Sequence, residues 1–72
     1  MPDWQKPVYS SNVNEIGYRE ETQEMTVAWQ KSGKVSVYAG VPEELAMQVA
    51  NAPSVGSILN TEIKPYYAHH YE

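Results

Sequence analysis

The apolar positions of this chain alternate before Pro42 and then change period. Met25, Val27 and Trp29 are interleaved with Thr26, Ala28 and Gln30, a two-residue repeat that predicts a half-buried strand over about 24–30. A strand before it is predicted over about 12–19, where Ile16 and Tyr18 share one face and Val13 lies on the other. A third, rich in β-branched residues, is predicted over about 34–40. The links Glu20-Glu21-Thr22-Gln23 and Lys31-Ser32-Gly33-Lys34 are short and polar, so the three strands form an antiparallel meander.

After Pro42, the residues Leu45, Ala46, Val49, Ala50 and Ala52 recur near every 3.6 positions, which predicts an amphipathic helix over about 42–52. Pro42 suits the first turn, where its missing N–H costs nothing. Glu43 and Glu44 lie at the positive end of the helix dipole, and Pro53 ends the helix. Ser54 is a cap for a second, short helical turn over about 54–60. The expected fold is therefore α+β, a three-stranded antiparallel meander packed by one helix and a short second helical turn. Residues 1–11, with Pro2 and Pro7, read as an extended arm, 12–67 as a single domain and 68–72 as a flexible tail.

The helix covers one face of the meander. Leu45, Val49, Ile58 and Ile63 are expected to meet Ile16, Tyr18, Met25, Val27 and Trp29. The third strand admits two settings. If Tyr38 faces the helix, Val35 and Val37 join Thr26 and Ala28 on the uncovered face, a weakly apolar strip suited to self-association and a homo-oligomer. In the other setting Val35, Val37 and Ala39 are core and Tyr38 is exposed.

Composition narrows the classes. Seventy-two residues make room for one small domain. The absence of cysteine excludes disulfides and thiol chemistry. No apolar run approaches the ~18 residues of a membrane span, and the first residues do not read as a signal peptide, so a cytoplasmic location is expected. Nine acids against five Lys and Arg give a net charge of −4. Affinity for polyanions rests on clustered cations, so a long nucleic-acid groove is disfavoured and a local basic patch is what remains. Basic amphipathic membrane binding is disfavoured by the same count.

Candidate chemistry is sparse. His69 and His70 are adjacent and project apart, so no metal is expected there. Glu20-Glu21 and Glu43-Glu44 read as solvated or dipole-matched pairs, and no catalytic residue or cofactor is assigned. Ser54-Val55-Gly56-Ser57 is a helix start without the glycines and lysine of a phosphate loop. Ser10-Ser11-Asn12 is either a turn bonding its own backbone or a hydroxyl cluster for a ligand phosphate. Trp4, Tyr9, Tyr66, Tyr67 and Tyr71 lie near the chain ends; they either pin arm and tail or, if the ends meet, line a shallow aromatic groove.

The order of segments is similar to a known pattern. Val8, Ser10-Ser11-Asn12-Val13 and Ile16-Gly17-Tyr18 are followed by Met25-x-Val27-x-Trp29 and Ser32-Gly33-Lys34. Then come Tyr38, Val41-Pro42-Glu43, Ala52-Pro53-Ser54-x-Gly56, Asn60, Ile63 and Tyr67. From about residue 8 to 67 the chain resembles the KTSC domain, a short module named for its place at the C-terminus of some lysyl-tRNA synthetases and found free-standing in bacteria and phages. The resemblance implies a small α+β domain and, through the synthetase context, RNA binding. One departure stands out. The family carries a Tyr-x-Tyr pair where this chain has Ser36-Val37-Tyr38, so a two-ring platform cannot form on those positions, and if the pair is core, Ser36 leaves a polar notch to be filled.

The expected function is a small non-enzymatic binding module for RNA or a nucleotide. The alternatives are a phage-type inhibitor or sponge, which sequesters a nucleotide signal or binds a host protein, and an oligomeric protein–protein adaptor. Candidate ligand residues are Ser10, Ser11, Asn12, Arg19, Lys34, Tyr38, Lys64 and Tyr67; candidate self-association residues are Thr26, Ala28, Val35 and Val37.

Overall fold

The structure, a computed structural model, describes residues 3–8 and 12–72. Strands β1 (Trp4–Pro7), β2 (Val13–Arg19), β3 (Glu24–Trp29) and β4 (Val35–Tyr38) precede helices α1 (Glu43–Asn51) and α2 (Val55–Ile58). α2 runs directly into a π-helical segment, Leu59–Ile63, and the chain closes with β5 (His69–Tyr71). All neighbours in the sheet are antiparallel, in the order β1-β2-β3-β4-β5.

The α+β class and the β2–β3–β4 meander agree with the sequence, but the sheet has five strands and not three. Part of the expected arm is the edge strand β1, paired with β2 from Trp4↔Tyr18 to Pro7↔Glu15. The expected flexible tail is β5, paired with β4. Both segments are short and carry no apolar alternation. They join the sheet through backbone hydrogen bonds, which leave no side-chain signal. The second helical segment also runs further than expected, to Ile63, with the Lys64 N–H bonded to Leu59 O at 2.9 Å.

Register settles the faces. Tyr18, Met25, Tyr38 and His69 form one cross-strand row, and Ile16, Val27, Ser36 and Tyr71 the next. Both rows lie on the side that carries the core. Tyr38 is thus a core residue, 1% exposed, and Val37 lies on the opposite face in the row Gly17–Thr26–Val37–His70. Val13 is a correction: it is buried with Ile16, not turned away from it. A β-bulge shifts the register between Val13 and Glu15, and the extra residue rotates Val13 to the core side.

The helical layer meets these rows as expected. Val49 and Ile63 are buried against Ile16, Tyr18, Met25 and Val27, with Leu45, Ile58 and Trp29 packed at the margin. Val41, Ala46, Val55 and Leu59 complete the core. Pro42 caps α1 from just outside its first turn. The buried Tyr18 hydroxyl donates to Val41 O at 2.6 Å and so ties the loop before α1 to the sheet. Among the described residues no helix is long and apolar enough to cross a membrane.

A candidate basic and aromatic ligand site

The β3–β4 turn builds one wall of the site. Gly33 sits at φ +69°, a left-handed conformation open to glycine. Its N–H bonds to Trp29 O at 3.2 Å, the Trp29 N–H to Lys34 O at 2.9 Å, and the Lys34 N–H to Ser32 Oγ at 3.2 Å. The turn holds Lys31 and Lys34 at the end of the sheet where β3 finishes.

Two rings face the same cavity. The Trp29 indole N–H donates to Ser36 Oγ at 2.7 Å, and Lys64 Nζ lies 5.5 Å from the indole centroid. Tyr71 stands opposite Ser36 on β5, 59% exposed, with Lys34 Nζ 5.2 Å from its ring centroid. The Tyr71 ring meets His69 edge-on at 5.7 Å, and His69 leans on buried Tyr38 at 5.2 Å. Asn12, Trp29, Lys31, Ser32 and Tyr71 line a cavity of about 220 Å³. Trp29 therefore fills the notch at Ser36, and a pair of rings from β3 and β5 stands beside it. The site can stack a planar group and hold an anion, because ammonium groups beside aromatic faces bind both.

Charge is separated along the sheet. Lys31, Lys34 and Lys64 make no ion pair among the described residues, where the ion pairs belong to Arg19. At the opposite end Asp3, Glu20, Glu21, Glu24, Glu43 and Glu44, six of the nine acids, gather around the β2–β3 turn and the start of α1. There Glu43 hydrogen-bonds and repels the Glu20 carboxylate, with a smaller push from burial and Asp3, so Glu20 keeps its proton to higher pH than usual. Three of the five cations of this chain of net charge −4 thus lie away from that acidic end.

The outer face of the sheet differs. Arg19 pairs with Glu24 at 3.4 Å and with Glu72. These bonds, the one to Glu72 first, hold the Arg19 guanidinium charged to higher pH still. The Thr22 hydroxyl first, against the opposing effect of burial and with help from Arg19, holds the Glu24 carboxyl below its usual range. The Glu72 N–H bonds to Val35 O, so the line from Arg19 to Glu72 runs diagonally over Thr26 and Val37. Both are buried, while Ala28 and Val35 are half-buried beside a cavity of about 250 Å³. The strip expected for self-association does lie on this face, but less of it is bare than the sequence suggests.

The candidate ligand residues divide accordingly. Asn12 lines the Trp29–Tyr71 cavity, while Lys34 lies over the Tyr71 ring and Lys64 over the Trp29 ring without lining it. Arg19 is remote from it, locked in ion pairs at the acidic end. Tyr38 is buried in the core, and Tyr67 packs half-buried against it. Ser10, Ser11 and Tyr9 lie outside the described residues. Trp4 is on β1 and Tyr71 on β5, at opposite edges of the sheet, so these two rings do not share a groove. Sequence reasoning misses Lys31, Ser32 and Trp29 as candidate site residues, and it places Tyr71 only in an aromatic groove between the chain ends. The Lys31–Lys34 turn is the other visible signal, since Trp29 reads as core.

A comparison with curated proteins returns no match. Among solved structures the chain is similar to a KTSC domain protein from Yersinia pestis, with a TM-score of 0.86, 26% identity and 96% of each chain covered. The KTSC domain family model matches residues 9–67. That match takes in β2 to β4, both helices and the π-helical segment, and on it the chain belongs to the KTSC domain family.

Proposed function

We propose that this domain is a small binding module for a nucleotide or the exposed end of an RNA strand, received at the Trp29–Tyr71 cavity. One observation carries the reading: two rings line one cavity with Lys31, and Lys34 and Lys64 each lie over one of those rings, all three lysines free of ion pairs among the described residues. A base stacks on an aromatic face with about 1–3 kcal/mol per base, and it does so without regard to sequence. The lysines neutralise phosphate, while Ser32 and Asn12 offer polar groups at the rim. The lining holds two rings, one ammonium group, an amide and a hydroxyl, groups that recognise a base and a phosphate, and this supports the reading of a binding site. At about 220 Å³ the cavity takes one ring system, so a single nucleotide suits it better than a long strand.

Titration of the protein with mononucleotides, cyclic dinucleotides and short oligouridine, followed by tryptophan emission, tests it. Ligand stacking on Trp29 quenches emission. Lys34→Glu and Lys64→Glu each weaken binding and flatten its salt dependence by about 0.7 in log–log slope for each phosphate left without its lysine. Flat titrations at millimolar ligand, or binding indifferent to both charge reversals, overturn the reading.

A further inference from the structure

A groove lies between β1 and α1, at the edge of the sheet far from the lysine cluster. Its first compartment, about 340 Å³, is bounded by Trp4, Lys6, Glu43, Met47 and Ala50. A second of about 350 Å³ continues it past Asn51 toward Pro53 and Val55. Lys6 Nζ donates to Asn51 Oδ1 where the two compartments join. Met47 stands 50% exposed on the rim, one of the few large apolar side chains left in solvent.

The strand wall of this groove is β1, an edge strand that pairs with β2 alone among the described residues. The Val8 N–H bonds to Asn14 O. By the alternation of an antiparallel ladder, Lys6 and Trp4 also face β2, while Gln5 and Pro7 turn their backbone groups outward. Pro7 has no N–H to offer, which limits edge-to-edge growth of the sheet. Gln5 still presents both a donor and an acceptor.

Charge identifies the occupant. At the Trp4 end the Glu20 N–H bonds to Asp3 Oδ2, and the Trp4 indole N–H donates to Glu43 Oε2 at 3.0 Å. Glu20 and Glu43 crowd each other there, and no cation pairs with these three acids among the described residues. Phosphate is repelled from this end. A second copy of the chain would bring its unpaired cations Lys31, Lys34 and Lys64 on the β3–β4 turn and after the π-helical segment, neither of them an extended strand, while its Lys6 is bonded to Asn51 and its Arg19 to Glu24 and Glu72.

We propose that the groove receives an extended segment of a partner protein, which adds to β1 as a short sixth strand. Its Lys or Arg side chain meets Asp3, Glu20 and Glu43, and an apolar side chain two residues away covers Met47 and Ala50. Backbone bonds to Gln5 set the register, and the two-residue spacing follows from strand geometry.

The test uses the full chain, labelled with ¹⁵N, and the heptapeptide Ser-Thr-Arg-Thr-Leu-Thr-Ser beside its Glu-for-Arg counterpart. The amides of Gln5, Met47 and Asn51 are expected to shift with the arginine peptide. Affinity is expected to fall at least tenfold for the glutamate peptide and for the Glu20→Lys and Met47→Ser variants, both at exposed positions. Lys34→Glu is expected to leave it unchanged, which separates this site from the Trp29–Tyr71 cavity. Equal affinity for the two peptides, shifts confined to Lys31 and Lys34, silence at millimolar peptide, or movement of Gln5 with protein concentration alone would each overturn the proposal.

Discussion

The indole N–H of Trp29 donates to Ser36 Oγ at 2.7 Å, across the strand pair β3 and β4. At the position before Val37-Tyr38 this chain has a small hydroxyl, and the larger Trp29 leans over it and bonds to it. The bond also sets the plane of a ring that lines the candidate ligand cavity. Ser36 is buried, so removing its oxygen leaves the indole donor without a partner. Ser36→Ala is expected to lower stability by about 1–3 kcal/mol. Urea titration should show a lower midpoint at unchanged slope, and nucleotide affinity should fall as the ring loses its anchor. A midpoint equal to that of the parent chain would mean that the bond contributes nothing.

Tyr18 ties the sheet to the loop before α1 through its bond to Val41 O. Tyr18→Phe is expected to cost about 1–3 kcal/mol, since a buried carbonyl loses its donor. The phenol is also a pH reporter. Burial, then Glu43 and Glu20, raise its pKa above the usual 10.0, and burial, then Tyr71, raises that of Tyr38. A raised folded-state pKa means that the native state holds its proton longer than the unfolded chain. Stability is therefore fully present below about pH 10 and is lost as pH climbs toward the folded-state values. Alkaline melts should show this fall, and it should be shallower in Tyr18→Phe.

At the acidic end Glu20 and Glu43 repel, and Glu20 titrates above the usual carboxylate range. Its protonated form is the one the fold favours, so the stability it contributes is present at low pH and lost as pH rises through that folded-state value. Glu20→Gln is expected to raise Tm at pH 7, with the gap closing as the pH falls into the carboxylate range. A constant gap at every pH would trace the gain to something other than repulsion.

Val37 is fully buried on the outer face, beneath the line of the Arg19–Glu72 pair. Val37→Asp places a carboxylate where no cation is free to meet it, and is expected to unfold the protein at every concentration. Glu72→Gln removes only an exposed partner and should cost about 0.2–1 kcal/mol. Unfolding by Val37→Asp that appears only on dilution would point instead to an interface across this face.

Gln23, in the β2–β3 turn, has φ +56°, a conformation that costs a non-glycine residue roughly 1–2 kcal/mol. Its carbonyl accepts the Val41 N–H at 3.0 Å, so the turn is held by the core loop in spite of the strain. Gln23→Gly is expected to raise Tm by a few degrees, offset in part by a more flexible unfolded chain.

Much of this fold is legible in the sequence, because side-chain periodicity records which face of an element is buried. The alternation through Met25, Val27 and Trp29 and the 3.6-residue spacing after Pro42 place the meander and α1 close to where they lie. Period alone does not show which face of β4 is core. Ser36 and Tyr38 alternate with Val35 and Val37, and either pair fits a buried face until cross-strand register sets Tyr38 beside Met25. The edge strands β1 and β5 are illegible for a different reason: they are held by backbone bonds, which carry no side-chain code.

The amino-acid sequence by itself determined the fold class, the helix that covers the sheet and the small number of cations. Tertiary structure alone decided what surrounds those cations. Trp29 and Tyr71 come from β3 and β5 and line one cavity only because β5 returns to pair with β4, while Lys64 reaches Trp29 from the end of the π-helical segment. A binding site is a set of distances between segments remote in sequence, and those distances exist only once the sheet has closed its register.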